Sequence, residues 1–221
     1  MNMKLIAKNK LTPDVYELIF EFDGNLTSLA GQFITFILPS GLRRAYSVAF
    51  QNGSNFEFII KRLEDGRGGS KEICDLELGT SLDFIGPVGH FILKETPENK
   101  LFIGTGTGFA PLYFQIKKAT ELGLKSNLHF IFGVRHLEDI FYEEELNKIK
   151  QENTNFDYNL YLSREDSQKY TKGYVTDFLK KENISDFEEF YICGSPVMVE
   201  DSRKKLLELG VGEDKIYFEK Y

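Results

Sequence analysis

Short runs in which apolar and polar residues alternate fill the first 95 positions of the chain. They are rich in β-branched and aromatic residues and are interrupted by turn signals such as Asp23-Gly24 and Asn52-Gly53, which is typical of strands. The predicted strands are VYELIFEF, QFITFIL, AYSVAF, FEFIIKRL and SLDFIG. This spacing predicts a small antiparallel barrel or sandwich, with KEICDLEL as its one helix.

The rhythm changes after KETPENK, residues 94–100, a polar stretch with a proline that is typical of a linker. Apolar runs now alternate with helical patterns: KLFIGT with APLYFQIKKATEL, NLHFIFGV with FYEEELNKIKQE, FDYNLYLS with GYVTDFLKKE, and EFYICG with MVEDSRKKLLEL. Such alternation predicts a parallel sheet with helices on both faces. We therefore expect two domains: an antiparallel β-barrel over residues 1–97 and a Rossmann-like α/β domain over residues 98–221.

Charge and hydropathy limit the kinds of partner and the cellular compartment that we expect. Of the 221 residues, 34 are acidic and 27 basic, so the net charge of -7 argues against nucleic acid or an anionic membrane as the main partner. No apolar run approaches the length of a membrane span, and the N-terminus MNMKLIAKNK lacks the apolar core of a signal peptide. A cytoplasmic protein is expected; its oligomeric state is left open.

The residues that bind metals are too few for a metal site. Cys74 and Cys193 are the two cysteines, which cannot form a disulfide framework or an iron-sulfur cluster, and the three histidines lack zinc-ligand spacing. No metal is expected. Any redox chemistry would need a bound organic cofactor.

The stretch LFIGTGTGFAP, residues 101–111, is the most informative motif. An apolar strand leads into Gly104-Thr105-Gly106-Thr107-Gly108, which permits a tight turn with exposed backbone N–H groups, and Pro111 suits the first turn of a helix. A pyrophosphate would bind at that helix N-terminus, although glycine-rich turns also serve packing alone. The spacing matches neither the Walker motif nor the usual G-x-G-x-x-G.

A second unusual stretch, RRAYSVAF, places a cation, a phenol and a hydroxyl in one short strand. Alternation puts Arg44 and Tyr46 on one face, and Ala45 and Ser47 on the other. Alternation by itself accounts for that arrangement without any function.

Four motifs together resemble the ferredoxin-NADP reductase superfamily, in the same order and over nearly the whole chain. They are Arg44-Ala45-Tyr46-Ser47, Gly86-Pro87-Val88-Gly89, Gly104–Pro111 and Cys193-Gly194-Ser195-Pro196. The resemblance implies that the first domain binds a flavin and the second a nicotinamide nucleotide.

The resemblance also implies roles for the flavin site. Arg44 would pair with the flavin nucleotide's phosphate, Tyr46 would pack on the isoalloxazine ring, and Ser47 would bond near its N5 atom. A second phosphate contact at Gly68-Gly69-Ser70 favours FAD over FMN, although these glycines could instead form a flexible hairpin end. Lys61 is either a further contact or a solvated charge.

At the nicotinamide end, the resemblance places Cys193 near the C4 atom and next to the turn residue Gly194. A buried cysteine at a strand end is otherwise a small hydrophobic residue. The chain ends in Glu219-Lys220-Tyr221, like reductases whose terminal tyrosine covers the flavin beside a glutamate that relays protons. We expect Ser47, Cys193, Glu219 and Tyr221 to be catalytic; a terminal strand that simply ends in an aromatic residue is the alternative.

The nucleotide preference is less sharply defined. Ser163, Arg164 and Tyr174 occupy places similar to those that grip the 2'-phosphate and stack on adenine in plant-type members, and Arg135 is a further candidate. NADPH is favoured over NADH.

These features predict an oxidoreductase that passes electrons between NAD(P)H and a separate carrier, such as ferredoxin or flavodoxin, through FAD. The alternatives are a reductase of free flavin or another small acceptor, and an electron-transfer subunit of a larger complex. The acidity of the chain disfavours an acidic ferredoxin unless a local basic patch compensates.

Overall fold

The computed structural model describes all residues from Met1 to Tyr221 and contains two β-sheets. The first is antiparallel, with strand order β4-β3-β7-β1-β2-β6-β5. Its strands are β1 (Asn2–Lys10), β2 (Val15–Glu21), β3 (Phe33–Ile37), β4 (Arg43–Ser47), β5 (Phe50–Asn52), β6 (Asn55–Lys61) and β7 (Ser81–Val88). Helix α1 (Gly69–Asp75) connects β6 to β7, where the sequence predicts the one helix of this half.

Strand β1 lies in the middle of this sheet, between β7 and β2, yet the sequence pattern did not predict it. Only Met3 and Leu5 bury apolar side chains in alternation, and the register shifts after Leu5. The ammonium group of Lys8 donates hydrogen bonds to the carbonyl oxygens of Cys74 (3.0 Å) and Leu76 (2.9 Å), at the end of α1. A lysine-rich stretch is thus held by a tertiary contact that hydrophobic periodicity does not reveal.

The second sheet is parallel, with strand order β11-β10-β9-β8-β12-β13. Its strands are β8 (Lys100–Thr105), β9 (Leu128–Val134), β10 (Phe156–Leu162), β11 (Thr171–Lys172), β12 (Glu189–Gly194) and β13 (Ile216–Lys220). The helices are α2 (Phe109–Glu121), α3 (Glu143–Glu152), α4 (Lys181–Ile184) and α5 (Pro196–Glu208). Residues of α2 and α3 belong to one apolar core and residues of α4 and α5 to another, so helices cover both faces as predicted.

The helix expected over GYVTDFLKKE is the exception, because the chain there forms a 3-10 turn at Val175–Phe178 and only then the short α4. Leu179, at ψ 84°, leaves the helical region between the two pieces. The side chain of Asp177 accepts a 2.7 Å hydrogen bond from the N–H of Tyr174, which caps the turn locally. None of the helices has the length and apolarity needed to cross a bilayer.

The two sheets share a continuous apolar core. Val15, Ala49 and Ile59 of the first sheet's half pack in the same cluster as Phe102 and Phe109 of the second. Burial of apolar surface between them fixes how the sheets face each other, and with it the cleft that opens between them.

Candidate functional site

A cleft of about 1030 Å³ lies between the two sheets, a size suited to a large organic ligand. Strands β4 and β6 contribute one wall. The other wall comes from the turn after β8, the end of β9, the start of α5 and the end of β13, at the carboxyl edge of the parallel sheet. Ligands of open α/β sheets bind at that edge.

The glycine motif forms the turn between β8 and α2. Gly106 has a φ of +54°, and Gly106–Gly108 forms a single 3-10 turn before α2 begins at Phe109. A Cβ at Gly108 would lie 2.3 Å from the carbonyl oxygen of Cys193, and one at Gly194 would lie 2.3 Å from Oγ1 of Thr105. These glycines therefore let the turn after β8 pack directly on the end of β12.

The terminal residue Tyr221 closes this turn. Its hydroxyl accepts a hydrogen bond from the N–H of Gly108 and donates one of 3.0 Å to the carbonyl oxygen of Thr105. Although 60% of the residue's surface is exposed, burial of the hydroxyl raises the pKa of Tyr221 above its usual range. The phenol thus bonds two backbone groups of the turn that the sequence predicts to bind a nucleotide.

Two further predicted residues meet across the cleft. Ser47 Oγ on β4 donates a 3.2 Å hydrogen bond to Oε2 of Glu219 on β13. Burial raises the pKa of the Glu219 carboxyl above its ordinary value, and the bond from Ser47 opposes that rise. A carboxyl of this kind can hold and release a proton beside a reacting group.

Cys193, the fourth predicted catalytic residue, is 1% exposed and packs in the apolar core. Burial, and to a smaller extent the negative charge of Glu219, raise the pKa of its thiol well above the ordinary value. The thiol therefore stays protonated and lies behind the cleft wall. Its part in catalysis stays a prediction.

At the other end of the cleft, Arg44 is held by backbone carbonyls. Its guanidinium donates to the carbonyl oxygens of Arg43 (2.8 Å) and Arg67 (3.1 Å). A Cβ at Gly69 would lie 2.4 Å from Arg44 Nε and 2.6 Å from its Cγ, so the missing side chain at Gly69 makes room for the arginine. Lys61 lines the same region, with its ammonium group paired to Asp14 at 2.6 Å.

The residues present fit FAD. The hydroxyl of Tyr46 and Oγ1 of Thr105 are buried in the cleft walls without hydrogen-bond partners from the protein, so both can bond a bound group. Burial raises the pKa of Tyr46, so it remains a neutral donor. The cleft combines these two groups with the cation of Arg44 and with apolar side chains of β6.

At the nucleotide end, Arg135, Ser163 and Tyr174 line the cleft. Arg164 does not line it; its side chain is exposed on the following loop, and its N–H donates a 3.0 Å hydrogen bond to the carbonyl oxygen of Arg135. The structure thus brings the two arginines onto adjacent loops and directs one of them to the cleft.

Most of the predicted site residues share the cleft wall: Arg44, Ala45, Tyr46, Ser47, Lys61, Gly69, Ser70, Thr105, Gly106, Thr107, Arg135, Ser163, Tyr174, Glu219 and Tyr221. The others do not line it: Gly104, Gly108, Pro111, Cys193 and Gly194, which lie behind the wall, and Gly68 and Arg164, which are exposed outside it. Gly108, Cys193 and Gly194 lie behind it because the β8 turn and the β12 end pack tightly together, and Gly104 and Pro111 lie within buried elements.

The cleft also contains residues that the sequence analysis did not assign to the site. Ser195 caps α5 by accepting a 3.4 Å hydrogen bond from the N–H of Met198, with Pro196 at the first helical position, and that Ser-Pro signature was readable. Arg67 belongs to the glycine-rich segment DGRGG, another available signal. The apolar wall carried no such signal: Val15, Phe33, Ile59, Ile60, Val134 and Phe141.

Two family models cover most of the chain. The Oxidoreductase FAD-binding domain matches residues 2–92, and the Oxidoreductase NAD-binding domain matches residues 102–204. The first contains β1–β7 and the second contains the glycine turn and β12.

Three curated relatives are each 32% identical to this chain over the part that aligns. Ferredoxin--NADP reductase B of Sorangium cellulosum aligns over 235 residues, 99% of this chain and 96% of that protein. The electron transfer component of toluate 1,2-dioxygenase of Pseudomonas putida aligns over 199 residues, 89% of this chain but 59% of its own length. One subunit of the Na(+)-translocating NADH-quinone reductase of a Marinomonas species aligns over 69% of this chain and 40% of its own length. The chain thus spans less than two thirds of these last two.

Solved structures share the fold over the full chain. The Amycolatopsis cytochrome P450 reductase superposes with a TM-score of 0.90 at 24% identity, covering 100% of this chain and 69% of that one. A ferredoxin NADP+ reductase from Neisseria gonorrhoeae, solved with bound FAD and NADP, superposes with a TM-score of 0.85 at 20% identity, covering 100% and 98%.

Proposed function

This chain belongs to the ferredoxin-NADP reductase superfamily as an NAD(P)H-dependent FAD oxidoreductase, and from that premise we propose that it passes electrons through FAD to a separate carrier protein. The carrier is of the ferredoxin or flavodoxin type. Residues 1–97 form the flavin-binding unit and residues 98–221 the nucleotide-binding unit.

The observation that carries this proposal is the hydrogen bond between Ser47 and Glu219, beside Tyr221. This bond joins β4, which we expect to contact the flavin, to β13, which ends next to the glycine turn after β8. A flavin bound there supplies an acceptor for hydride from nicotinamide. Both rings would then meet where the chain offers a hydroxyl, a carboxyl with a raised pKa and a phenol.

Each of these residues has a distinct task. Arg44 and the backbone at Gly69-Ser70 bind the flavin's phosphates, and the ring of Tyr46 packs against the isoalloxazine. Ser47 donates a hydrogen bond toward its reacting edge, and Glu219 holds a proton there. Tyr221 covers the site until nicotinamide displaces it, which also keeps water out.

We propose NADPH as the preferred nucleotide. Arg135 lines the cleft and offers a planar cation to the 2'-phosphate, and Ser163 is close in the same wall. The exposed ring of Tyr174 is available to stack on adenine.

A protein acceptor is supported by one relative that is named an electron transfer component and by another that is named a ferredoxin--NADP reductase. Because this chain carries a net charge of -7, an acidic carrier would meet long-range repulsion, and the encounter would depend on ionic strength.

The experiment is stopped-flow reduction of the purified, FAD-loaded protein by NADPH and by NADH, followed by reoxidation with ferredoxin, flavodoxin or free flavin. We expect FAD to be released on denaturation and a carrier protein to reoxidise the flavin faster than free flavin does. Recovery of FMN alone, or faster reoxidation by free flavin, would contradict the proposal.

A further inference from the structure

Tyr142 adopts an unusual backbone conformation at the junction of the two sheets. It is the one non-glycine residue with positive φ, at 58°, directly before α3 begins at Glu143. A bulky side chain keeps such a conformation only where its surroundings hold it. Its ring is held edge-on by Tyr113, with centroids 5.1 Å apart, and by Phe109, at 5.6 Å.

The hydroxyl of Tyr142 reaches the other sheet and donates a hydrogen bond to Oε1 of Glu17 on β2, 125 residues away. The second carboxylate oxygen of Glu17 accepts a 2.6 Å hydrogen bond from Asn9 on β1. Glu17 is therefore fixed from both sides. Burial and then the Glu17 carboxylate raise the pKa of Tyr142, so the phenol remains protonated and able to donate.

This contact lies immediately behind both walls of the cleft. On β2, Val15 lines the cleft and Glu17 follows two positions later on the same face. On the other side, Phe141 lines the cleft and precedes Tyr142 in the chain. The loop that Tyr142 terminates also carries Arg135, which we assign to the nucleotide.

We propose that the Tyr142–Glu17 hydrogen bond is a latch that holds the nucleotide-side loop, Arg135–Phe141, against the flavin-side sheet and sets the width of the cleft. Tyr142 is thus a positioning residue. The kinetic consequence rests on the proposed function, since it requires that NAD(P)H binds at this loop. The latch itself does not.

The test compares FAD-loaded variants by hydrogen exchange of the Arg135–Phe141 amides and by the KM for NADPH. Tyr142→Phe keeps the ring and deletes the donor, Glu17→Ala deletes the acceptor, and Glu17→Gln keeps an acceptor. Tyr158→Phe is the matched control, because that hydroxyl also donates a hydrogen bond, of 2.8 Å, but to Asn147 within the second unit.

We expect exchange of this loop to accelerate about tenfold in Tyr142→Phe and in Glu17→Ala, the scale for losing a charge-assisted hydrogen bond. Tyr158→Phe should exchange like the wild type. Glu17→Gln keeps one neutral acceptor for the two donors Tyr142 and Asn9, so its exchange should fall between those of the wild type and Glu17→Ala. The double variant Tyr142→Phe/Glu17→Ala should exchange no faster than either single variant. The KM of Tyr142→Phe should rise severalfold with FAD content unchanged.

Unchanged loop exchange in Tyr142→Phe, or acceleration that adds up in the double variant, overturns the latch. An unchanged KM with faster exchange overturns the positioning role. If the wild type is not reduced by either nucleotide, the proposed function fails, while the exchange measurements still decide the latch.

Discussion

The hydroxyl of Ser47 bonds the carboxylate of Glu219 at 3.2 Å, although 172 residues separate them in the chain. One residue comes from the antiparallel sheet and the other from the edge strand of the parallel sheet. The contact therefore forms only when the two sheets are docked, and it places a carboxyl with a raised pKa between the residues that we assign to the flavin and those that we assign to the nucleotide.

This pair makes a prediction about pH. Burial raises the pKa of Glu219 and the Ser47 bond lowers it, so Ser47→Ala should shift its titration to still higher pH. If ionisation of Glu219 produces one limb of the pH profile of flavin reduction, that limb shifts to higher pH in Ser47→Ala and disappears in Glu219→Gln. Stopped-flow reduction across the pH range measures both; a limb that survives in Glu219→Gln belongs to another group.

Tyr221 should act as a gate. Nicotinamide would have to displace a ring whose hydroxyl bonds Gly108 and Thr105. Removing the two bonds in Tyr221→Phe, at about 0.5–1.5 kcal/mol each, should tighten nucleotide binding by roughly tenfold, and deleting the residue should tighten it further.

The charge-transfer absorbance of oxidised flavin with bound nucleotide reports this gating. It should grow from wild type to Tyr221→Phe to the deletion. Equal affinity and equal absorbance in all three proteins would mean that Tyr221 only ends a strand.

Gly69 should contribute to flavin binding by making room for the side chain of Arg44. The Cβ of Gly69→Ala would meet Nε, Cγ and Cδ of Arg44 within 2.9 Å, so the arginine must move away from its carbonyl partners. We expect FAD affinity to fall by about tenfold or more, the value of a charge-assisted phosphate contact.

A fluorescence titration of the apoprotein with FAD measures this loss. In an Arg44→Ala background the same Gly69→Ala substitution should have little further effect, because the clash is gone. Independent, additive losses would show that Gly69 serves the flavin through its own backbone instead.

Nucleotide-binding measurements can distinguish the roles of Arg135 and Arg164. Arg135 lines the cleft, so Arg135→Ala should weaken NADPH binding about ten- to a hundredfold and leave NADH nearly unchanged. Arg164→Ala should have the smaller effect, because its side chain does not line the cleft. Calorimetric titration with NADP and NAD decides between them; the reverse order would mean that the loop rearranges on binding.

Glu57 should make stability depend on pH. Burial and the nearby Glu17 raise its pKa to about 7, and Lys117 of α2 opposes them. In the unfolded chain the carboxyl ionises near 4.5, so the folded protein loses stability as the pH rises from about 4.5 to about 7.

Glu57→Gln should therefore be more stable than wild type at pH 8, on the order of 1 kcal/mol after solvent screening, and nearly equal at pH 4. Chemical denaturation at both pH values measures the difference, with Glu21→Gln, an exposed position of β2, as the control. An equal gain in the free energy of unfolding at both pH values would show that ionisation of Glu57 is not its cause.

The sequence by itself determined the local features. Period-two runs and the strand-helix alternation predicted both sheets, because burial of one face imposes that repeat on any chain. The turn at Gly104–Gly108 and the strand Arg44–Ser47 could also be predicted, because their chemistry is local. A tight turn needs glycine, and a phosphate site needs a cation and N–H groups within a few residues.

Tertiary structure decided the rest. The central strand β1 was missed because Lys8 is held by carbonyls of α1, a contact made 66 and 68 residues away. Three further features depend on which faces the two sheets turn toward each other. They are the burial of Cys193, the position of Arg135 rather than Arg164 in the cleft wall, and the Ser47–Glu219 hydrogen bond. Side-chain periodicity along one strand carries no information about that docking, which is set by apolar packing between residues far apart in the chain.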